Sequence, residues 1–195
     1  MRLTEAIAGS RNKKQPTHIN VKTGGIKLMV NLTDDEMDAY SGAFQATYLH
    51  KIWEAQRYAL YKAAKDLREH VRKVFSQYVP AAENKNDKYV DKLVDAVSIG
   101  KIKHSDRYAE TNVNIMGGRA KNSRQYQAKW YATGTEERQT KEGYNRGAID
   151  GSGNEKRKTS KYTYKLGFFL AAQRSIDMTS VLKAYLDAEI SKRSN

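Results

Sequence analysis

The chain has 195 residues, with 35 lysines and arginines against 22 acidic residues and a formal net charge of +13 at pH 7. A mean hydropathy of −0.81 is low, but the apolar residues cluster in periodic segments, so we expect one domain with a modest core and polar extensions. The absence of cysteine excludes disulfides and cysteine-based zinc sites. The positive charge favours a polyanionic partner: nucleic acid, an acidic protein surface, or DNA that passes through a basic pore.

The sequence does not predict a membrane protein. The first residues lack the long apolar run of a signal peptide, and no window approaches the roughly 18 apolar residues of a membrane span. We therefore expect a protein that is made in the cytoplasm and has no membrane partner.

The N-terminal region is predicted to be a flexible arm over residues 1–17, followed by a single domain over residues 18–195. Within that domain, Ile19 and Val21 alternate with polar residues, Gly24 and Gly25 form a turn signal, and alternation resumes from Ile26. This pattern is typical of a β-hairpin.

A capping box at Thr33 and Glu36 predicts the start of a long helix. Helical spacing of apolar residues then continues from Met37 to Tyr78, and Pro80 is a natural stop. A continuous helix would be about 70 Å long at 1.5 Å per residue, whereas a domain of this size has a radius of gyration of about 16 Å. The helix is therefore expected to break, or to protrude towards another subunit.

The middle of the chain is predicted to supply most of the sheet. Tyr89–Ile99 is compatible with a short helix or with the lead into a strand, and Tyr108–Ile115 alternates as a strand does. Tyr126, Ala128 and Trp130 also alternate with polar residues, so we expect them to form its partner strand.

Residues 135–161 contain almost no apolar side chain and are interrupted by glycines, so we predict a long basic loop that becomes ordered on assembly. Its docking contacts are expected from Arg138, Lys141, Arg146, Lys156, Arg157, Lys158 and Lys161. The residues expected to anchor its two ends are Trp130, Gly134, Thr135, Phe168 and Phe169. A final amphipathic helix follows, with Asp177 as its N-cap.

The sequence offers no catalytic, cofactor or metal site. His50 and His70 share the long helix but lie five turns apart, and His104 beside Asp106 supplies too few ligands for a metal. The glycines near Gly147 lack the Lys-Ser/Thr ending of a phosphate-binding loop. We therefore expect a protein that is not an enzyme.

Nucleic-acid binding is the main alternative function. Tyr144, Tyr162 and Tyr164 lie among cations, and aromatic side chains beside cations can stack on single strands. No helix-turn-helix, zinc-finger or RNA-recognition signature accompanies them, and nearby acidic residues dilute the charge. This alternative is a basic nucleic-acid-binding protein of a phage or mobile element.

Four stretches together resemble a known family. They are the helix Ala55–Val79 with its Val-Pro end, the Lys92–Ile99 lead into the sheet, Lys129–Thr135 with its Gly-Thr end, and Gly167–Ala172 with its Phe-Phe helix entry. In this order they resemble the tail-completion, or head–tail joining, family of tailed bacteriophages, similar to the lambda-type minor tail protein Z. Thr133 stands where that family usually has a glutamate.

The resemblance implies an α+β fold in which a small antiparallel sheet is flanked by a long N-terminal helix and a C-terminal helix, with the long basic loop between the last strands. It also implies a structural virion protein of the phage neck, which forms a sixfold or twelvefold ring with itself. Its other partners would be the portal or connector and tail proteins, with non-specific contact to genomic DNA in the channel. It implies no enzymatic activity and no cofactor.

Overall fold

The fold was examined in a computed structural model of the chain. The structure describes residues 17–20, 25–44, 48–78, 93–105, 108–115, 128–129, 131–132, 138–139, 145–149, 155–156 and 167–194. Within these ranges the protein is α+β, with a small antiparallel sheet packed against helices, as the sequence predicts. None of the described helices is both long enough and apolar enough to cross a membrane.

The main sheet begins with the predicted hairpin, β1 (Thr17–Asn20) and β2 (Gly25–Asn31). Strands β3 (Val97–Ile99), β4 (Lys103–His104) and β5 (Tyr108–Ile115) complete it. The strand order is β1-β2-β5-β3, with β4 also paired to β5, and all pairs are antiparallel. The predicted arm lies outside the described residues except for Thr17, which is the first residue of β1.

Period-two alternation decides which side chains of the sheet form the core. Ile26 on β2 lies opposite Val113 on β5, and both are completely buried. Their neighbours Lys27 and Asn112 point to the other face and keep partial exposure. Because successive side chains point to opposite faces, one apolar residue in two is enough to line the core.

Gly25 permits β2 to approach β5 closely at the start of the strand. A Cβ atom at this position would lie 2.3 Å from Asn114 Cβ and 2.6 Å from the Val113 carbonyl oxygen. Those distances are far inside van der Waals contact, so only glycine fits there without a backbone shift.

The first helix, α1 (Asp34–Phe44), begins at the predicted capping box. The Thr33 amide donates to Glu36 Oε2 at 2.8 Å, and the Glu36 amide donates to Thr33 Oγ1 at 3.3 Å. These two bonds satisfy amides that the helix itself leaves unpaired, which confirms the predicted start.

The second helix, α2 (Tyr48–Tyr78), is the central element of the fold. It packs against the sheet on one side and against the C-terminal helices on another. Its inward face consists of alanines and larger apolar residues at helical spacing, all of them completely buried: Ile52, Ala55, Ala59, Leu60, Ala63, Ala64, Leu67, Val71 and Phe75. The alanines leave room for close approach of neighbouring elements, and the larger residues fill the core.

Two consecutive helices, α3 (Gly167–Ser175) and α4 (Met178–Ser194), run antiparallel to α2 along its length. Asp177 caps α4 as predicted, because its Oδ1 accepts hydrogen bonds from the amides of Thr179 and Ser180 at 3.1 and 3.3 Å. Hydrogen bonds from Ser180 lower the pKa of Asp177, which keeps the cap ionised.

The long-helix prediction needs a correction. The helical spacing from Met37 to Tyr78 is distributed over α1 and α2, and residues 45–47 between them lie outside the described part. The 31 residues of α2 are about 46 Å long, and α3 and α4 cover it within the same chain. The length of this helix is therefore no argument for a neighbouring subunit.

Two predictions for the region after β5 are wrong. Ala128, Lys129, Tyr131 and Ala132 are helical rather than extended, and the partners of β5 are β2, β3 and β4. The physical reason is that Ala128, Tyr131 and Ala132 are all buried at i, i+3 and i+4, which is one helix face and not one strand face.

The predicted basic loop likewise contains strands of its own. Strands β6 (Arg138–Gln139), β7 (Asn145–Ile149) and β8 (Glu155–Lys156) form a second antiparallel sheet. Residues 140–144 and 150–154, which separate the three strands, lie outside the described residues.

Candidate interaction surfaces

The basic segment, residues 133–166, carries all seven of the predicted docking residues. Arg138 lies opposite Gly147 in the β6–β7 pair, and Lys156 lies opposite Ala148 in the β7–β8 pair. Arg146 is the neighbour of Gly147 on β7, so the structure brings these three cations onto one small sheet. The other four, Lys141, Arg157, Lys158 and Lys161, lie outside the described residues.

The C-terminal anchor of the basic segment is where the sequence predicts it. Phe168 and Phe169 are completely buried at the start of α3. The Phe168 ring stacks on Phe75 of α2, with centroids 4.3 Å apart, and the Phe169 ring lies 4.4 Å from that of Phe168. Aromatic pairs at these distances stabilise by about 0.5–1.5 kcal/mol beyond the area they bury.

The residues predicted for the N-terminal anchor, Trp130, Gly134 and Thr135, lie outside the described residues. Their neighbour Tyr131 is 1% exposed, and its ring centroid lies 5.8 Å from that of Phe75. Because the alternating pattern is interpreted as a strand, Tyr131 is not among the predicted anchors. The spacing of Ala128, Tyr131 and Ala132 nevertheless indicates a helix.

Both ends of the basic segment therefore converge on one residue. Phe75, in the last turns of α2, contacts Tyr131 before the segment and Phe168 after it. All three rings are buried, so residues on both sides of the basic segment lie in the core at one end of α2.

A second surface is the outward face of α2, which we call the cationic–aromatic face and define by Arg57, Tyr58, Tyr61, Lys65 and Lys73. These residues are all exposed. Tyr58 and Tyr61 are each 48% exposed. Few other large apolar or aromatic side chains in the described part are exposed to solvent.

Cations lie over the aromatic rings of this face. The Arg193 guanidinium is 4.8 Å from the Tyr58 centroid, and the Lys65 ammonium is 5.8 Å from the Tyr61 centroid. Such cation–π contacts stabilise by about 0.5–1 kcal/mol at exposed sites. Within the described part of the chain, no carboxylate lies within ion-pair distance of Lys65, and the same holds for Arg57 and Lys73.

An ionic network holds α4 against α2 beside this face. Glu189 is only 3% exposed, accepts a hydrogen bond from Lys62 Nζ at 2.5 Å, and also pairs with Arg193. The hydrogen bond from Lys62, together with Arg193, lowers the pKa of Glu189 although burial opposes this. Further along, Tyr185 donates to Asp66 Oδ2 at 2.6 Å. Because every charged group of this network is paired within it, these contacts stabilise the packing of α4 on α2.

The histidines fall into two unrelated settings. Trp53 Nε1 donates to His104 Nδ1 at 2.6 Å, and the His50 ring stacks on Trp53 with centroids 5.5 Å apart. His70 Nε2 instead forms a hydrogen bond with Ser175 Oγ at 2.7 Å. Burial is the larger cause of the lowered pKa of His70, and the positive charge of the nearby Lys73 lowers it further. Among the described residues, no group of three or more ligands is arranged to hold a metal ion.

One buried hydroxyl remains without a hydrogen-bond partner in the part of the chain that the structure describes. Tyr40 on α1 is 8% exposed, and its OH contacts no acceptor or donor there. Burial is the main reason that its pKa is raised, and the carboxylates of Asp187 and Glu36 add to the effect. The phenol therefore stays neutral near neutral pH.

Comparison with known proteins finds no relative. No family model, no curated protein and no solved structure matches this chain. The functional argument therefore depends on the residues and surfaces of the molecule itself.

Proposed function

We propose that this chain is a structural protein of a tailed-bacteriophage neck, where copies form a closed ring that joins the portal or connector to the tail and lets DNA pass. The observation that carries the proposal is the anchoring of the basic segment on Phe75 by Tyr131 and Phe168. A polar, cationic segment held at both ends by a buried aromatic cluster is suited to docking against another protein.

The positions of the family-like motifs support this proposal. Ala132 lies in the Lys129–Thr135 stretch, and Phe168, Phe169 and Ala172 lie in the Gly167–Ala172 stretch, and all four are buried. The motif residues are thus the ones that fix the basic segment to the core. The α+β arrangement, with a small antiparallel sheet against a long helix, is also the one that the resemblance implies.

Ring closure gives the basic segment a physical role. A ring joins one patch of each subunit to a different patch of the next, and rotation closes the set. Because α3 and α4 already cover α2, the helices of each subunit need no support from a neighbour. Contacts between subunits, and with the portal and tail, are then the task of residues outside this helical frame.

Purified protein tests the proposal directly. We expect sedimentation velocity and negative-stain images, recorded without DNA, to show rings of six or twelve copies that become more abundant with concentration. A chain that stays monomeric over a wide concentration range, and also in the presence of its portal and tail partners, would contradict the proposal.

A pair of variants sharpens that test. Replacing residues 136–160 with a short Gly-Ser linker removes the second sheet but keeps Tyr131 and Phe168, so we expect the helical circular dichroism signal to be retained but no rings to form. The matched control is the double substitution Lys183→Gln and Lys192→Gln on α4, which leaves the basic segment unchanged and is expected to assemble normally. Rings of normal size from the linker variant would assign assembly to another surface.

Nucleic-acid binding is a second candidate function, because the cationic–aromatic face of α2 favours it. Exposed tyrosines beside cations without carboxylate partners in the described part are suited to a polyanion with stackable bases. The two functions separate by DNA dependence: rings without DNA support the first, and steeply salt-dependent binding by a monomer supports the second.

A further inference from the structure

The cationic–aromatic face of α2 has cations that no carboxylate of the described part neutralises. Between Arg57 and Lys73 the helix advances about 24 Å. Over that length the helix carries the two carboxylates of Asp66 and Glu69 and six cations, namely Arg57, Lys62, Lys65, Arg68, Arg72 and Lys73. Lys62 pairs with Glu189, Arg68 with Glu69 and Arg72 with Asp95, which leaves Arg57, Lys65 and Lys73 without a carboxylate partner in the described part. Asp66 accepts a hydrogen bond from Tyr185 and Glu69 pairs with Arg68, so neither carboxylate is available to the free lysines.

The two tyrosines of this face are placed for stacking. Tyr58 and Tyr61 are three residues apart on one helix face, and half of each side chain is open to solvent. A cation covers one face of each ring, and Arg193 over Tyr58 is itself paired with Glu189, so a base would stack on the other ring face. Aromatic platforms among cations are the combination by which proteins hold single strands without sequence preference.

The face is also rigid, which lowers the cost of binding. The inward residues of the same turns, among them Ala59, Leu60 and Ala64, are completely buried. The ion pair between Lys62 Nζ on α2 and Glu189 Oε1 on α4, which lie 2.5 Å apart, holds α4 beside this face. Because the helix is fixed before any ligand arrives, binding orders only side chains and not backbone.

From these observations we propose that the cationic–aromatic face binds single-stranded nucleic acid. Arg57, Lys65 and Lys73 contact phosphates, and the rings of Tyr58 and Tyr61 stack on unpaired bases. This inference assigns the second candidate function to one surface and one class of ligand, and it does not depend on the proposed ring. From the sequence alone, aromatic residues among cations are expected in the basic segment. The surface proposed for binding is a different one and lies on α2.

Matched lysine variants test the phosphate contacts. The double substitution Lys65→Gln and Lys73→Gln on α2 is compared with Lys183→Gln and Lys192→Gln on α4, which removes the same charge from another helix. Fluorescence anisotropy with labelled oligothymidine is recorded over a series of salt concentrations. We expect the α2 variant to bind at least about tenfold more weakly, with a salt slope reduced by about 1.4, since each phosphate contact on a single strand contributes about 0.7.

The control variant is expected to lose much less affinity. Equal losses in the two variants would show that only the overall charge attracts the oligonucleotide, and the assignment to α2 would be overturned. Circular dichroism and the midpoint of thermal unfolding of each variant verify that the fold is unchanged.

Tyrosine variants test the stacking. Tyr58→Leu with Tyr61→Leu keeps apolar side chains of moderate size but removes the flat rings. We expect about a tenfold or greater loss for oligothymidine and little change for a duplex of equal length, because paired bases are not available to stack. An equal loss on both nucleic acids, or no loss on either, would refute base stacking. A change in oligomeric mass without a change in oligothymidine binding would assign the face to subunit contacts instead.

Discussion

The two faces of α2 have opposite compositions and opposite roles. The inward face consists of apolar residues that are completely buried against the sheet, α3 and α4. The outward face alternates cations with two half-exposed tyrosines. One helix of 31 residues thus serves both as the centre of the core and as a charged surface, because its 3.6-residue period separates the two sets of side chains.

This comparison separates stability from interaction. Burial of an aliphatic side chain stabilises by about 1.5–3 kcal/mol, whereas substitutions at exposed positions usually change stability by less than about 0.5 kcal/mol. Changes to the inward face should therefore affect folding, and changes to the outward face should affect binding. The predictions that follow test this division.

The largest effect is expected for Phe75→Ala. Phe75 is completely buried and contacts both Phe168 and Tyr131, so the truncation leaves a cavity where the two anchors meet. We expect a loss of about 3–5 kcal/mol in the free energy of unfolding, measured by urea denaturation. Phe75→Leu, which fills most of the volume, is the control, and a loss as large as that of alanine would argue against a cavity effect.

Ala63→Leu is expected to destabilise by about 1–3 kcal/mol, because Ala63 is completely buried and the core has no space for three further carbon atoms. The matched control is Lys65→Leu on the outward face, which introduces the same residue into the same helix at an exposed position. Comparable unfolding midpoints for the two variants in urea would contradict the division between the faces.

Glu189→Gln tests the network at the edge between the two faces. It removes hydrogen bonds from Lys62 and Arg193 to a carboxylate, so we expect a loss of about 1–3 kcal/mol near neutral pH. Glu69→Gln is the control, since Glu69 is 58% exposed and its ion pair with Arg68 contributes at most about 1 kcal/mol. Urea denaturation of the two variants at one pH measures the difference.

The same residue predicts a pH dependence. The pKa of Glu189 lies below its ordinary value of 4.5 in the folded chain, so the unfolded state binds this proton more readily. Its contribution to stability is complete above pH 4.5 and is lost as the pH falls through the lowered folded value. Thermal unfolding of the wild-type protein should therefore respond to acid more steeply in that range than that of Glu189→Gln. Parallel curves would exclude this group.

The smallest effect on stability is expected for Lys65→Gln with Lys73→Gln. Both side chains are exposed and have no carboxylate partner in the described part, so the free energy of unfolding should change by less than about 0.5 kcal/mol. Urea denaturation measures this quantity. A loss above about 1 kcal/mol would mean that the outward face supports the fold, and the proposed division would fail.

Local chemistry made several elements predictable. The capping box at Thr33 and Glu36, the Asp177 cap and the hairpin of β1 and β2 are encoded by residues a few positions apart. The seven docking cations were predicted only as members of a loop, and three of them lie on strands of a second sheet.

The sequence by itself determined where most helices begin, the helical period of α2 with part of its inward face, and that Phe168 and Phe169 return to the core. Those features follow from backbone hydrogen bonding and from the periods of helix and strand, which act over short distances. Tertiary structure decided that α3 and α4 cover α2, that Tyr131 lies on a helix, and that Phe75 joins both ends of the basic segment. Such pairings join residues more than 50 positions apart, and only the packing of the whole core selects among them.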